Sequence, residues 1–155
     1  MSLERIERGL RSGLGAVLSA IVAAIAVICF LEVVLRYAFG ASLTWYDEFV
    51  GYLLVWVTFL GAVLAQSHGQ HIGVENFVTS RSERTKRALR LTNHFILVAI
   101  HVVLLIYGAQ LALRFLAERA STLPIPMGAI YAVVPFSAAL MLVVEGIRIA
   151  RLVRS

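Results

Sequence analysis

Charge is scarce in this chain. Only 15% of its 155 residues are Asp, Glu, Lys or Arg, whereas 60% are hydrophobic. A soluble domain carries closer to about a quarter charged residues, so an ordinary water-soluble globule is excluded. Cysteine is nearly absent: Cys29 stands alone and cannot form an intramolecular disulfide. Between Ile28 and Phe30 it reads as a small buried hydrophobe and not as a reactive thiol. There is no phosphate-binding glycine loop, no nucleophile elbow and no metalloprotease motif. Inverted repeats and paired helix breaks, which build transport sites, are missing too. Proline is confined to Pro124, Pro126 and Pro135. The chain is therefore poor in machinery for catalysis or for a transport site of its own.

What is present is long apolar runs. Four stand out, at about 13–35, 45–66, 91–115 and 127–147. Each is near the roughly 20 residues that cross a hydrocarbon core about 30 Å thick. The pattern predicts an all-α membrane protein of four transmembrane helices, one compact bundle forming a single domain over 1–155. The first run follows Arg5, Arg8 and Arg11, as in a signal peptide, but it exceeds the roughly 7–15 residues of such a segment and no convincing cleavage site follows. It is expected to stay as the first helix. Pro124 and Pro126 precede the fourth helix, which suits proline, and Pro135 is expected to kink it.

The formal net charge of +5 is not the footprint of a nucleic-acid binder, which would gather its basic residues on one folded face. Here they mark the ends of the apolar runs. Arg5, Arg8 and Arg11 precede the first. Arg81, Arg84, Lys86, Arg87 and Arg90 separate the second from the third. Arg148, Arg151 and Arg154 follow the fourth. These are eleven of the fourteen basic residues, leaving Arg36, Arg114 and Arg119 for the other side. The positive-inside rule then places both termini and the 67–90 connection in the cytoplasm, against anionic lipid headgroups. Tyr37, Phe39, Trp45 and Tyr46, with Tyr131, form an aromatic belt at the opposite interface.

The start of the second run is the most informative stretch. Thr44 is expected to cap the helix, with Asp47 three residues on as in a capping box. Asp47 and Glu48 then fall in a first turn, where the helix dipole favours anions. Beside Trp45 they also offer a docking point for a basic partner. Gly61, Ala65 and Gly69, like Gly15, Ser19 and Ala23, have the small-xxx-small spacing that allows close helix contact. His68, His71 and Glu75 have metal-like spacing, but Gly69 and Gly73 argue against a rigid helix there, and a polar anchor or interface is the better reading. Glu32 and Arg36 are spaced for an i, i+4 ion pair at the end of the first helix. Glu145 lies near the end of the fourth helix beside Arg148. His94 and His101 share a face of the third, where bonds across helices suit them better than haem ligation.

The run "RYAFGASLTWYDEFVGYLLVWVTFLGAVLAQSHGQHIGVE" resembles the signature of the small membrane subunit of tripartite ATP-independent periplasmic (TRAP) transporters, the DctQ-like family. The features matching that pattern are Arg36, Trp45, Asp47, Glu48, Trp56, Leu60, Gly61, His71, Ile72, Val74 and Glu75. The segment "STLPIPMGAIYAVVPFSAALM" resembles the family's last helix, with Pro124 and Pro135 in place. Asp47 stands where many members carry a second Glu, which keeps the charge. The resemblance implies a non-catalytic subunit that supports a large multi-span subunit in the bacterial inner membrane, together with a periplasmic binding protein. It implies that sodium and substrate, an organic acid, bind the large subunit, and that this chain holds no cofactor. Glu32, Arg36, Trp45, Asp47, Glu48, Gly61, His71 and Glu75 are the candidates for subunit contact or structure. Arg114 and Arg119, which stand against the positive-inside trend, are the candidates for docking the binding protein. Two other readings stay open: a haem- or quinone-binding anchor of a respiratory enzyme using His94 or His101, and a small proton-coupled exporter using Glu32.

Overall fold

The computed structural model describes residues 2–68 and 83–154. Among these residues the chain is helical with no strand, in the order α1 (Ser2–Phe39), α2 (Tyr46–Ser67), α3 (Glu83–Arg114), α4 (Met127–Tyr131) and α5 (Val133–Arg154). Four of its helical segments are long and apolar enough to cross a membrane: Arg8–Phe39, Tyr46–Ser67, Leu91–Arg114 and Met127–Ala150.

Two helices overrun their apolar stretches. At 38 residues, α1 is about 57 Å long, well beyond the hydrocarbon thickness. Its first residues, "SLERIERGLRS", are mostly good helix formers and continue the helix outside the apolar part. The same holds for "ERTKRALR", which starts α3 eight residues before its apolar run. Hydropathy marks what the membrane tolerates and not where a helix ends. At the other end of α1, Gly40 turns the chain at φ +63°, a left-handed conformation that glycine adopts without steric cost. The fourth span is interrupted: α4 and α5 are separated at Ala132. Pro135 accounts for this, because it has no N–H for the Tyr131 carbonyl and its ring crowds that oxygen.

The expected compact bundle is not formed. α1 packs on α2, α2 on α5, and α5 on α3, while α1 has no comparable contact with α5 or α3. The helices lie in an open row, with α1 at one edge and α3 at the other. The core runs through the middle, from Leu14 through Leu60 and Val63 to Val133 and Met141. Large apolar side chains remain exposed along both edges, among them Phe30 and Tyr37 on α1 and Phe95 and Tyr107 on α3. Such surface is costly in water and suits a bilayer.

Candidate functional site: two clamped loops and a buried polar cluster

The polar side chains gather at the two ends of the row. One end carries the short connections 40–45 and 115–126, and is called the loop end here. The other carries both chain termini, and is called the terminal end.

At the loop end, each connection hangs on one glutamate. Glu32 is 3% exposed and accepts four hydrogen bonds. Arg36 donates to Oε1 through Nε at 3.1 Å and Nη2 at 2.7 Å. Ser42 Oγ donates to Oε1 at 2.9 Å, and the Leu43 N–H to Oε2 at 2.9 Å. The expected Glu32–Arg36 pair is therefore present, and it also holds the α1–α2 connection. Glu48 does the same for the α3–α4 connection. The N–H groups of Ser121 and Thr122 donate to it at 2.8 and 2.7 Å, joined by the Thr122 hydroxyl and by Tyr52 Oη at 2.5 Å. That connection closes on itself through an Arg119–Pro126 bridge and the Ala120 N–H to Ile125 carbonyl bond, 2.9 Å.

The capping box is not formed. Trp45 occupies the N-cap position in a helical conformation, and no side chain caps α2 there. The Tyr46 N–H returns to the Leu43 carbonyl instead, at 3.1 Å. Thr44 lies inside that turn and not at the helix boundary. Of the two acids, Glu48 is committed to the loop, and Asp47 stays exposed. Trp45 packs edge-on against Phe49, ring centroids 5.7 Å apart. Arg114, at the end of α3, and Arg119 are both exposed.

At the terminal end, Glu145 is fully buried. The Gln66 amide nitrogen donates to its Oε1 at 3.1 Å, and His94 Nδ1 lies 2.8 Å from its Oε2. With Glu145 as the acceptor, the ring carries its proton on Nδ1. One side chain thus joins α2, α5 and α3. The expected neighbour, Arg148, turns away and donates to the Gln66 carbonyl, while Arg11 of α1 donates to the Ser67 carbonyl. The reason is the negative end of the α2 dipole at its last-turn carbonyls, which attracts cations. The reading of His94 as a bond across helices holds, with its Nδ1 engaged by Glu145. His101 is buried farther along α3.

Among the described residues, the glycines of the small-residue stripes make no close helix contact within the chain. A Cβ added at Gly15 or Gly61 would meet nothing within 4 Å, whereas Gly108 and Gly128 are the glycines packed against neighbouring helix segments. Gly69, Gly73, His71 and Glu75 lie outside the described residues, so the proposed anchor there has no structural description. Among the described residues, no three His, Cys, Asp or Glu side chains gather as for a metal ion.

Sequence reasoning missed Gln66, Ser121, Thr122, Gly108 and Gly128. Gln66 entered only as the last residue of the second apolar run. A glutamine that close to a helix terminus gives no sign of which neighbour covers it.

These features define an integral membrane component in which Glu32, Glu48 and Glu145 hold its own helices and loops. Residues 25–155 match the family described as tripartite ATP-independent periplasmic transporters, DctQ component. The chain belongs to that family, the small membrane subunits of TRAP transporters. It is also 33% identical over 86 residues to a Haemophilus influenzae protein that carries the name TRAP transporter small permease protein. That match covers 55% of this chain and 53% of the relative, so the chain spans about half of the relative's length.

The geometry separates the two acids of α2. Glu48→Ala should release Ser121 and Thr122, raising their amide hydrogen exchange and lowering stability by about 1–3 kcal/mol through orphaned donors. Asp47→Ala should shift the stability of the isolated chain by less than about 0.5 kcal/mol. Equal effects of the two changes on exchange at Ser121 and Thr122 would refute the clamp.

Proposed function

We propose that this chain is the non-catalytic scaffold of a sodium-coupled TRAP transporter for organic acids, paired with a large multi-span subunit in the bacterial inner membrane. The observation that supports this best is the use of its buried and half-buried carboxylates. Glu32, Glu48 and Glu145 all accept hydrogen bonds that tie helices or loops together. That arrangement suits a rigid support better than a moving carrier of ions. Sodium and substrate then belong to the large subunit, and a periplasmic binding protein delivers the substrate. Gly61 and the exposed Asp47 are without a tight contact inside the chain, which fits contacts with that partner.

Expressed alone, the chain should insert and transport nothing. Expressed with the large subunit, it should co-purify as a heterodimer, and uptake should need both. Sodium-driven uptake by this chain alone in proteoliposomes would overturn the reading. The charge distribution favours both termini in the cytoplasm. Reporter fusions after Arg11, Arg84 and Arg154 should report cytoplasm, and one after Ser121 periplasm.

The loop end then faces the binding protein, with Arg114 and Arg119 among its exposed cations. Charge acts on transient encounters chiefly through the association rate. Arg119→Glu should raise the binding-protein concentration for half-maximal uptake several-fold, more so at low salt, and leave assembly intact. Superimposable titrations at low ionic strength would remove the loop as a docking surface.

A further inference from the structure

The two edges of the row differ in what they present to the bilayer. On α3 an exposed stripe runs through Ile96, Ile100, Val103, Tyr107, Gln110 and Arg114. Its members alternate between four and three residues apart, the spacing of a seam along which helices pack side by side. The loop-end part of this stripe is polar. Gln110 stands about one turn and Tyr107 about two turns inside the end of the Leu91–Arg114 span, roughly 5 and 11 Å into it. Side chains on a helix lean toward its N-terminus. On α3 these two therefore lean toward the middle of the membrane, away from the nearer interface. Gln110 brings two N–H donors and a carbonyl. Among the described residues neither it nor the Tyr107 hydroxyl has a hydrogen-bond partner. An amide in hydrocarbon is costly until it finds one. The α1 edge makes no such demand. Its exposed Ser19 can turn its hydroxyl onto its own helix, as Thr58 does on α2 with the Leu54 carbonyl at 2.8 Å.

Charge selects the occupant. Exposed Arg114 continues the stripe one turn beyond Gln110. In a parallel two-fold pair of α3 helices the same positions of the two copies meet, so two Arg114 side chains would be brought together. Like charges so placed are unfavourable. A different protein is under no such constraint. We propose that the outer face of α3, along Ile100, Val103, Tyr107 and Gln110, packs against a transmembrane helix of the large subunit that offers Gln110 a hydrogen-bonding side chain. This rests on the reading of the chain as that subunit's partner.

The full-length chain is expressed with the large subunit, and the heterodimer is purified in neutral detergent and dissociated by dilution. Gln110→Leu should weaken the heterodimer about threefold to tenfold, the range of one hydrogen bond between helices in a membrane. Thermal unfolding of the isolated variant should match the wild type, because Gln110 holds nothing within the described chain. Photo-reactive benzoylphenylalanine at Val103 should form an adduct with the large subunit, and the same group at Val22, exposed on α1, should not. A Gln110→Leu heterodimer as tight as the wild type overturns the proposal, as do Val103 adducts with lipid or a second copy alone. So does a loss of stability in the isolated variant that matches the loss of assembly, since the amide would then serve the fold. All of these leave the subunit reading standing. A wild-type chain that forms no heterodimer overturns that reading and the proposal with it.

Discussion

Glu145→Ala should be among the most damaging single substitutions in this protein, lowering its unfolding free energy by about 3 kcal/mol or more. The carboxylate is fully buried and bonded to two other helices. Its removal orphans His94 Nδ1 and the Gln66 amide together, each worth about 1–3 kcal/mol when left unsatisfied. Against this stands the relief of no longer burying a charge, which explains why a well-packed apolar substitute at such sites is often tolerated. Alanine fills neither the volume nor the bonds. Glu145→Gln keeps the shape and one acceptor, and should recover most of the loss. His94→Ala and Glu145→Ala should fall well short of additivity, since each removes the same bond. Thermal unfolding in detergent reads all three. Additive effects from Glu145→Ala and His94→Ala would mean that the bond across α3 and α5 is not formed in the folded protein.

The sequence made the helices legible but not their ends. Apolar runs located four spans, because hydrocarbon excludes charge over a fixed thickness. They said nothing about 2–12 or 83–90, where polar helix formers continue the helix beyond the apolar stretch. Helix arrangement was equally hidden. An apolar face reads the same whether lipid or another helix covers it, so a row could not be told from a bundle.

The charged residues were legible where the interaction is local. Glu32 and Arg36, four apart on one helix, could be paired from spacing alone. Glu48 could not, since its partners Ser121 and Thr122 lie more than seventy positions away. A first-turn acid before a hydrophobic run looked like a cap, and the long-range loop outcompeted that local role. Glu145 failed in the same manner. Arg148 is the nearer cation, but the Gln66 carbonyl in the last turn of α2 holds it, leaving the acid to His94 and Gln66.

The glycines give the second large effect, and their expected order is opposite to that implied by motif spacing. At Gly128 a Cβ would run into the Ala112 carbonyl oxygen and lie 2.9 Å from both N and Cα of Leu116. All three are backbone atoms of α3 or the residues just after it, so no side-chain rotation gives relief. The same glycine donates its N–H to the Phe115 carbonyl at 2.9 Å, which fixes the start of α4 against the end of α3. Gly128→Ala should therefore lose at least the roughly 1–3 kcal/mol typical of overpacking, with the larger end expected for a backbone clash. At Gly108 the nearest atom is Val134 Cγ1, 2.8 Å away, with Pro135 behind it at 3.1 Å. A valine can shift where a main chain cannot, so Gly108→Ala should cost less. At Gly61 nothing stands within 4 Å, and the helix itself favours alanine by about 0.5–1 kcal/mol. Gly61→Ala should leave the isolated chain as stable or slightly more so. If Gly61 faces the large subunit, the same change should lower heterodimer yield while the isolated chain is unharmed. Thermal unfolding of the three variants, set beside co-purification with the large subunit, separates packing inside the chain from packing between chains. A Gly128→Ala protein that unfolds with the wild type would show that α4 does not sit on α3 as described.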